Sequence, residues 1–174
     1  MPDPIPSPAN VSYQWIDTAD ALEVACRRWL GASAIALDTE FVRERTFFPI
    51  LGLIQVNDGA QISLVDPLAI DDLSSFAAVL REPSVLKILH SCSEDLEVFD
   101  VHLDTVPEPL FDTQVAATLL YPSNPPGYAR LIGELFELEV PKGETRSNWL
   151  RRPLRDAQKH YAALDVAYLL PAAE

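Results

Sequence analysis

Two cysteines in 174 residues, Cys26 and Cys92, are too few for a disulfide framework, and neither belongs to a CxxC pair. Both are expected to be reduced and buried. Basic residues are scarce: 13 Lys plus Arg stand against 26 Asp plus Glu, a net charge of −13 and the opposite of a simple phosphate-binding surface. No apolar run reaches the length needed to span a bilayer, and Met1–Asn10 has neither the basic nor the apolar region of a secretion signal. No membrane partner is therefore expected, and the cytoplasm is the expected location. Missing as well are Walker and GxGxxG loops, the GxSxG nucleophile elbow, an EF-hand loop and the Cys and His clusters of structural zinc. His90 and Cys92 are close in sequence, but nothing there marks the thiol as activated.

What is present fits one globular unit. Hydrophobic residues make up 48% and charged residues 22%, near the soluble average, which excludes wholesale disorder, and the length suits a single domain. The few cations are concentrated: Lys142, Arg146, Arg151, Arg152, Arg155 and Lys159 face only Glu144 and Asp156 in that stretch, leaving the first 141 residues strongly acidic.

Pro2, Pro4, Pro6 and Pro8 block helix and central strand alike, so residues 1–11 read as an extended, disordered tail. A strand over Tyr13–Ile16 then leads, through Thr18 and Asp20 as N-caps, into a helix ending near Leu30 and Gly31. Ala34–Phe41, Gly52–Asn57 and Gln61–Val65 read as three adjacent, largely antiparallel strands, with a turn at Asn57, Asp58 and Gly59. A helix opened by Asp71 and Asp72, a fourth strand over Val85–His90, and a helix capped by Ser93 follow. Asp112 caps another helix through Leu120. YPSNPPG at 121–127 breaks the chain, Tyr128–Leu138 is helical, and a last helix runs from near Leu154 past Leu170. This order predicts an α/β sandwich around a mixed sheet.

Three segments carry chemistry. Ile35, Ala36 and Leu37 form a buried strand ending in Asp38 and Glu40, and period-two geometry puts both carboxylates on one face; a strand ending at the surface would show the same acids. Asp95 lies at a strand-to-helix junction, where open α/β sheets build sites and where first-turn acids are also ordinary. Asp165 sits on an apolar helix with Tyr161 four residues earlier, on the same face, although a tyrosine at helical spacing also suits a core. His160 with Asp165 spells His-x-x-x-x-Asp as well, but on a continuous helix His160 lies about 140° away from Asp165, against about 40° for Tyr161. Tyr161 is therefore the choice, with His160 on the surface.

Together, Asp38-x-Glu40, Asp95 and Tyr161-x-x-x-Asp165 resemble the DEDD superfamily of 3′-5′ exonucleases in its tyrosine-bearing branch, and within it the ribonuclease D family. The flanks IALDTEFVRERTFFP, LGLIQV, HSCSEDLEVF, PLFDTQVAATLL, SNWLRRPL and YAALDVAYLLP share the resemblance in order, over nearly all of residues 12–171. It implies an α/β ribonuclease H-like fold with a mixed five-stranded sheet and helices on both faces. It also implies an exonuclease domain over 12–174, with the C-terminal HRDC domains of the family absent from this chain. The activity implied is 3′ to 5′ exoribonuclease, releasing 5′ mononucleotides from single-stranded RNA 3′ ends, transfer-RNA precursors among them.

The resemblance assigns two divalent cations, Mg²⁺ or Mn²⁺, to Asp38, Glu40, Asp95 and Asp165, with no small-molecule cofactor. Hard cations prefer such oxygen ligands, and two ions roughly 3.5–4 Å apart clamp an in-line phosphoryl displacement. Tyr161 would orient the attacking water; a reference tyrosine pKa near 10 suits positioning better than proton abstraction. Substrate contacts are expected from Thr39, Phe41, His90, Lys142 and Arg146, with core packing the alternative for Phe41 and a strand-end role for His90. Trp149 is expected to anchor the basic loop. Two other readings remain open at this stage: a helicase-type 3′-5′ DNA exonuclease, and a non-catalytic RNA-binding module on the same fold.

Overall fold

The computed structural model describes residues 5–141, 143–144 and 146–174. Six strands form one sheet: β1 (Tyr13–Ile16), β2 (Ala34–Val42), β3 (Ile50–Asn57), β4 (Ile62–Val65), β5 (Leu86–Leu89) and β6 (Leu110–Asp112), in the spatial order β1-β4-β3-β2-β5-β6. β3 pairs antiparallel with both β2 and β4, whereas β1, β5 and β6 pair in parallel with their neighbours. The sheet is thus mixed, as expected, but has six strands rather than five. The extra one, β6, is an edge strand of three half-buried residues, too short to show an alternating pattern.

The helices are α1 (Ala19–Trp29), α2 (Ser74–Arg81), α3 (Ser93–Leu103), α4 (Thr113–Ala117), α5 (Tyr128–Phe136), α6 (Asp156–Ala167) and α7 (Leu169–Ala172). Thr18 caps α1 by accepting from the Ala21 amide at 3.3 Å. Asp72 accepts from the Ser74 amide one turn early, so α2 begins at Ser74 and not at the aspartates. The single last helix expected from the sequence is broken at Tyr168 into α6 and α7. Among the described residues no helix is long and apolar enough to cross a membrane.

Alternation along β2 divides the interior into two layers. Ile35 and Leu37 face a core built with Leu22, Trp29, Phe76, Leu80, Val98 and Phe99 of α1, α2 and α3. Ala36 faces the other core, with Leu53, Leu64, Ile132 of α5 and Ala162, Ala163 and Val166 of α6. Asp38 and Glu40 continue the Ala36 series toward α6, and Thr39 continues the other.

β3 carries one residue more than β2 at this level: Glu40 pairs with Leu53 and Phe41 with Leu51, leaving Gly52 as a bulge. A side chain at Gly52 would place its Cβ 2.8 Å from the Trp149 carbonyl oxygen, so only glycine lets the 149–152 loop lie on the strand. Arg152 fastens that loop. Its guanidinium donates to both oxygens of Asp66 at 2.7 and 2.6 Å, to the Gly52 carbonyl at 2.6 Å and to the Trp149 carbonyl at 2.8 Å.

At the other side of the sheet, Lys87 is fully buried and donates to the carbonyls of Glu82, Val85 and Glu108 at 2.6, 2.8 and 2.6 Å. All three ammonium protons are matched, which makes a buried lysine tolerable without an ion pair. In the Pro-rich start, Pro8–Asn10 form a short 3-10 turn, and the Tyr168 hydroxyl donates to the Pro6 carbonyl at 3.1 Å.

Candidate active site

Three elements bring the four acids together. Asp38 and Glu40 are half-buried on β2, Asp95 is 6% exposed in the first turn of α3, and Asp165 is half-buried on α6. Thr39 lies between the two β2 acids but points the other way, and its amide (3.1 Å) and hydroxyl both donate to Asp95 Oδ1. One residue thereby couples β2 to the start of α3.

The electrostatics define a cluster of like charges. Burial, followed by the charges of Asp95, Asp165 and Glu40, raises the Asp38 carboxyl well above the ordinary range. Burial, then Asp165 and Asp95, pushes Glu40 up to about 9. Burial raises Asp165 to about 8 although a hydrogen bond with the Tyr161 side chain pulls the other way. Asp95 rises to about 6 by burial, against the two bonds from Thr39. None of the ion pairs among the described residues involves any of these acids. Four clustered carboxylates, one buried and three half-buried, are costly without a cation, and their shared preference is for positive charge.

That donor set suits a hard divalent cation: it is all oxygen and anionic, and Asp38 feels the charges of the other three. Among the described residues no group of three or more His, Cys, Asp or Glu side chains is already closed to the spacing of a metal centre. Two cavities, of about 700 and 730 Å³, lie elsewhere, beside α5 and between the chain's two ends, and neither is lined by any of the acids. Asp38, Glu40 and Asp165 keep part of their surface open to solvent, whereas Asp95 is buried.

Tyr161, which the helical spacing put on the Asp165 face, bonds with Asp165 and leans its ring on Trp149 with centroids 6.3 Å apart. Trp149 is buried, in the loop held by Arg152 and the Gly52 bulge. Phe41 is half-buried and packs against the α1–α3 core. His90 sits at the end of β5 with Nδ1 2.9 Å from Thr113 Oγ1, its Nε2 buried without a hydrogen bond and its ring edge-on to Tyr128.

Burial and, more weakly, the Asp112 charge act on the His90 ring in opposite senses; burial dominates and lowers its pKa. Burial also raises the thiols of Cys26 and Cys92, to about 11 and about 12, which leaves both unreactive.

The basic segment divides on inspection. Arg152 is committed to Asp66, Arg155 pairs with Glu144, and Lys159 lies 5.0 Å from the centre of the Trp15 ring. Arg146 and Arg151 are exposed, and no ion-pair partner is found for either among the described residues. Lys142 lies outside the described residues.

Two contributors escaped the sequence. Asp112 caps α4, as its position suggested, but Oδ1 and Oδ2 also accept from the amides of Ser91 and Cys92 at 3.0 and 2.9 Å. It thus sets the turn from which α3 and Asp95 depart. Tyr128 donates to the Leu164 carbonyl at 2.6 Å and so braces α6 one residue before Asp165. Only its place after a Pro-rich break hinted at a buried helix start.

Residues 13–174 match the 3′-5′ exonuclease family. The chain is 54% identical over 155 residues to ribonuclease D of Haemophilus influenzae, an alignment covering 89% of this chain and 39% of that protein. It superposes with a TM-score of 0.87 on the crystal structure of Escherichia coli RNase D, described as an exoribonuclease involved in structured RNA processing, at 49% identity over 92% of this chain and 43% of that one. Trypanosoma brucei RNase D, solved in complex with RNA U12, matches with a TM-score of 0.82 at 25% identity, over 95% of this chain and 62% of that one. The chain thus spans about two fifths of the length of the bacterial relatives.

Proposed function

Because the chain belongs to the 3′-5′ exonuclease family, with ribonuclease D among its relatives, we propose that it removes nucleotides one at a time from RNA 3′ ends by metal-dependent hydrolysis. Enzymes of this family use divalent metal ions. The observation that carries the proposal is the cluster of four mutually repelling carboxylates, one buried and three half-buried, with a tyrosine hydroxyl on one of them.

In this reading Asp38, Glu40, Asp95 and Asp165 hold two cations, Mg²⁺ or Mn²⁺. Their combined charge then cancels, so the scissile phosphate is no longer repelled. Two divalent cations held by these residues would supply Lewis-acid activation of the attacking water and charge stabilisation for the departing 3′ oxygen. The chain's own groups do the positioning. Thr39 fixes Asp95 through two bonds, Tyr128 and the Gly52–Trp149 contact fix α6 and the loop beside it, and Tyr161, held by Asp165 and Trp149, directs the water at phosphorus.

Arg146 and Arg151, with Lys142 of the same segment, supply the positive charge that draws the RNA backbone toward an otherwise acidic protein. Phe41 and His90 are proposed to border the terminal nucleotide through the parts of their rings left exposed. Residues 12–174 form the catalytic domain, preceded by the Pro-rich segment. Single-stranded 3′ ends, including those of transfer-RNA precursors, are the proposed substrates, and the cytoplasm is the proposed location.

The test is a time course on RNA labelled at its 5′ end, run with Mn²⁺, with EDTA, and with Asp38→Ala protein, beside a DNA oligonucleotide of the same sequence. A ladder shortening from the 3′ end, lost with EDTA and in the variant, is the expected result. Intact RNA with folded wild-type protein and Mn²⁺ sinks the proposal, and faster loss of the DNA replaces RNA by DNA as the substrate.

A further inference from the structure

Gln55 stands in the middle of β3, in a run otherwise made of Leu51, Leu53, Ile54 and Val56, and is completely buried. Strand alternation turns it, with Leu53 and Asn57, toward α6, the face on which Asp38 and Glu40 also lie. Its direct partner across β2 is Asp38, and across β4 it is Leu64. Side chains so paired have Cβ atoms only about 4.5–5.5 Å apart.

Neither the amide nitrogen nor the amide oxygen of Gln55 has a hydrogen-bond partner, and both are shielded from solvent. Two residues along the same face, Asn57 shows a satisfied buried amide: Nδ2 donates to the Val166 carbonyl at 3.0 Å and Oδ1 accepts from the Gly59 amide at 2.9 Å. An amide buried with nothing to bond is a standing cost that a leucine or methionine would remove. The residue directly across the strand pair from this amide is Asp38, whose carboxylate is an anionic acceptor.

We propose that Gln55 is the positioning residue for Asp38: its amide nitrogen reaches the Asp38 carboxylate through one bridging water, and so fixes the direction in which that carboxylate presents its oxygens to a cation. The assignment rests on the reading of Asp38 as a cation ligand. Gln55 touches neither substrate nor cation in it; its effect passes entirely through Asp38, as outer partners of metal ligands do.

The test titrates Mn²⁺ calorimetrically into metal-stripped wild-type, Gln55→Met and Gln55→Leu proteins, and records thermal unfolding of each without metal. The expected result is a Gln55→Met protein as heat-stable as wild type or more so, whose Mn²⁺ affinity is roughly 10- to 100-fold weaker. A space-filling role predicts the reverse, a lower melting temperature with Mn²⁺ affinity unchanged, and that outcome in either variant overturns the proposal. A wild-type protein that binds no Mn²⁺ would instead remove the reading of Asp38 as a ligand, and the assignment of Gln55 with it; the wild-type titration alone separates the two failures.

Discussion

Replacing Asp112 by alanine should destabilise the protein far more than the loss of one helix cap, because a single carboxylate serves two chain segments. Oδ1 accepts from the amides of Gln114 and Val115 at 2.7 and 3.2 Å, the ordinary cap of α4, and from Ser91 at 3.0 Å, while Oδ2 accepts from Cys92 at 2.9 Å. Loss of a cap costs about 0.5–2 kcal/mol. The Ser91 amide can turn to water, but the Cys92 amide is partly buried, and leaving it unpaired adds about 1 kcal/mol. The total is about 1.5–3 kcal/mol, or roughly 3–12 °C in melting temperature for a chain of this size.

Asp112→Asn keeps the Oδ1 bonds and turns an amino group toward the Cys92 N–H, so about 1 kcal/mol is expected from it. Urea denaturation of the three proteins without metal measures both values. Burial alone would raise the Asp112 carboxyl, yet the Cys92 and Ser91 amides hold it below the usual range. Its contribution is therefore present above the unfolded pKa and lost only as pH falls through the folded value, so the alanine variant and wild type should converge only in strong acid. A cost below about 0.5 kcal/mol for alanine, or equal costs for alanine and asparagine, would refute the account.

Gly52→Ala drives a methyl group against the Trp149 carbonyl at 2.8 Å, and an overpacking loss of about 1–3 kcal/mol with a shift in tryptophan fluorescence is expected; an unperturbed emission spectrum would count against the docked loop. With folded values of about 9, 8 and 6, Glu40, Asp165 and Asp95 all titrate above their unfolded values, so the metal-free protein is most stable in acid and loses stability as pH rises through those values. Thermal melts in EDTA should fall toward alkaline pH, and the rise in melting temperature on adding Mn²⁺ should grow with pH; a flat EDTA profile would contradict it. Arg152→Met should cost about 3 kcal/mol by stranding buried Asp66. The pair Arg146→Ala and Arg151→Ala should leave unfolding unchanged while weakening RNA binding and flattening its salt dependence, measured by fluorescence anisotropy.

The parts of the fold that could be read in advance are those where burial and periodicity coincide. Asp38 and Glu40 flank Thr39 in a strand whose alternation is unbroken from Ile35, so their shared face followed from spacing alone. Tyr161 and Asp165 are one helical turn apart, and the turn settled which residue beside Asp165 faced it. What escaped were relations across the chain. β6 has three residues and takes its strand character from β5 rather than from its own pattern. Arg152 looks like its basic neighbours until Asp66 and the Gly52 carbonyl are seen beside it. Gln55 was one polar letter in an apolar run, and only the pairing with Asp38 gives that letter a meaning.

The distribution of the acids over β2, α3 and α6 has a consequence for folding quality. Asp38 and Asp165 come from opposite ends of the sequence and meet only when α6 has docked over β2, β3 and β4, which makes it one of the last contacts a growing chain can close. An incompletely folded or locally opened molecule therefore does not bring the four acids together. In amide-exchange terms, the protons of α6 should be released only by global opening, because the cluster of acids closes only when α6 is docked on the sheet.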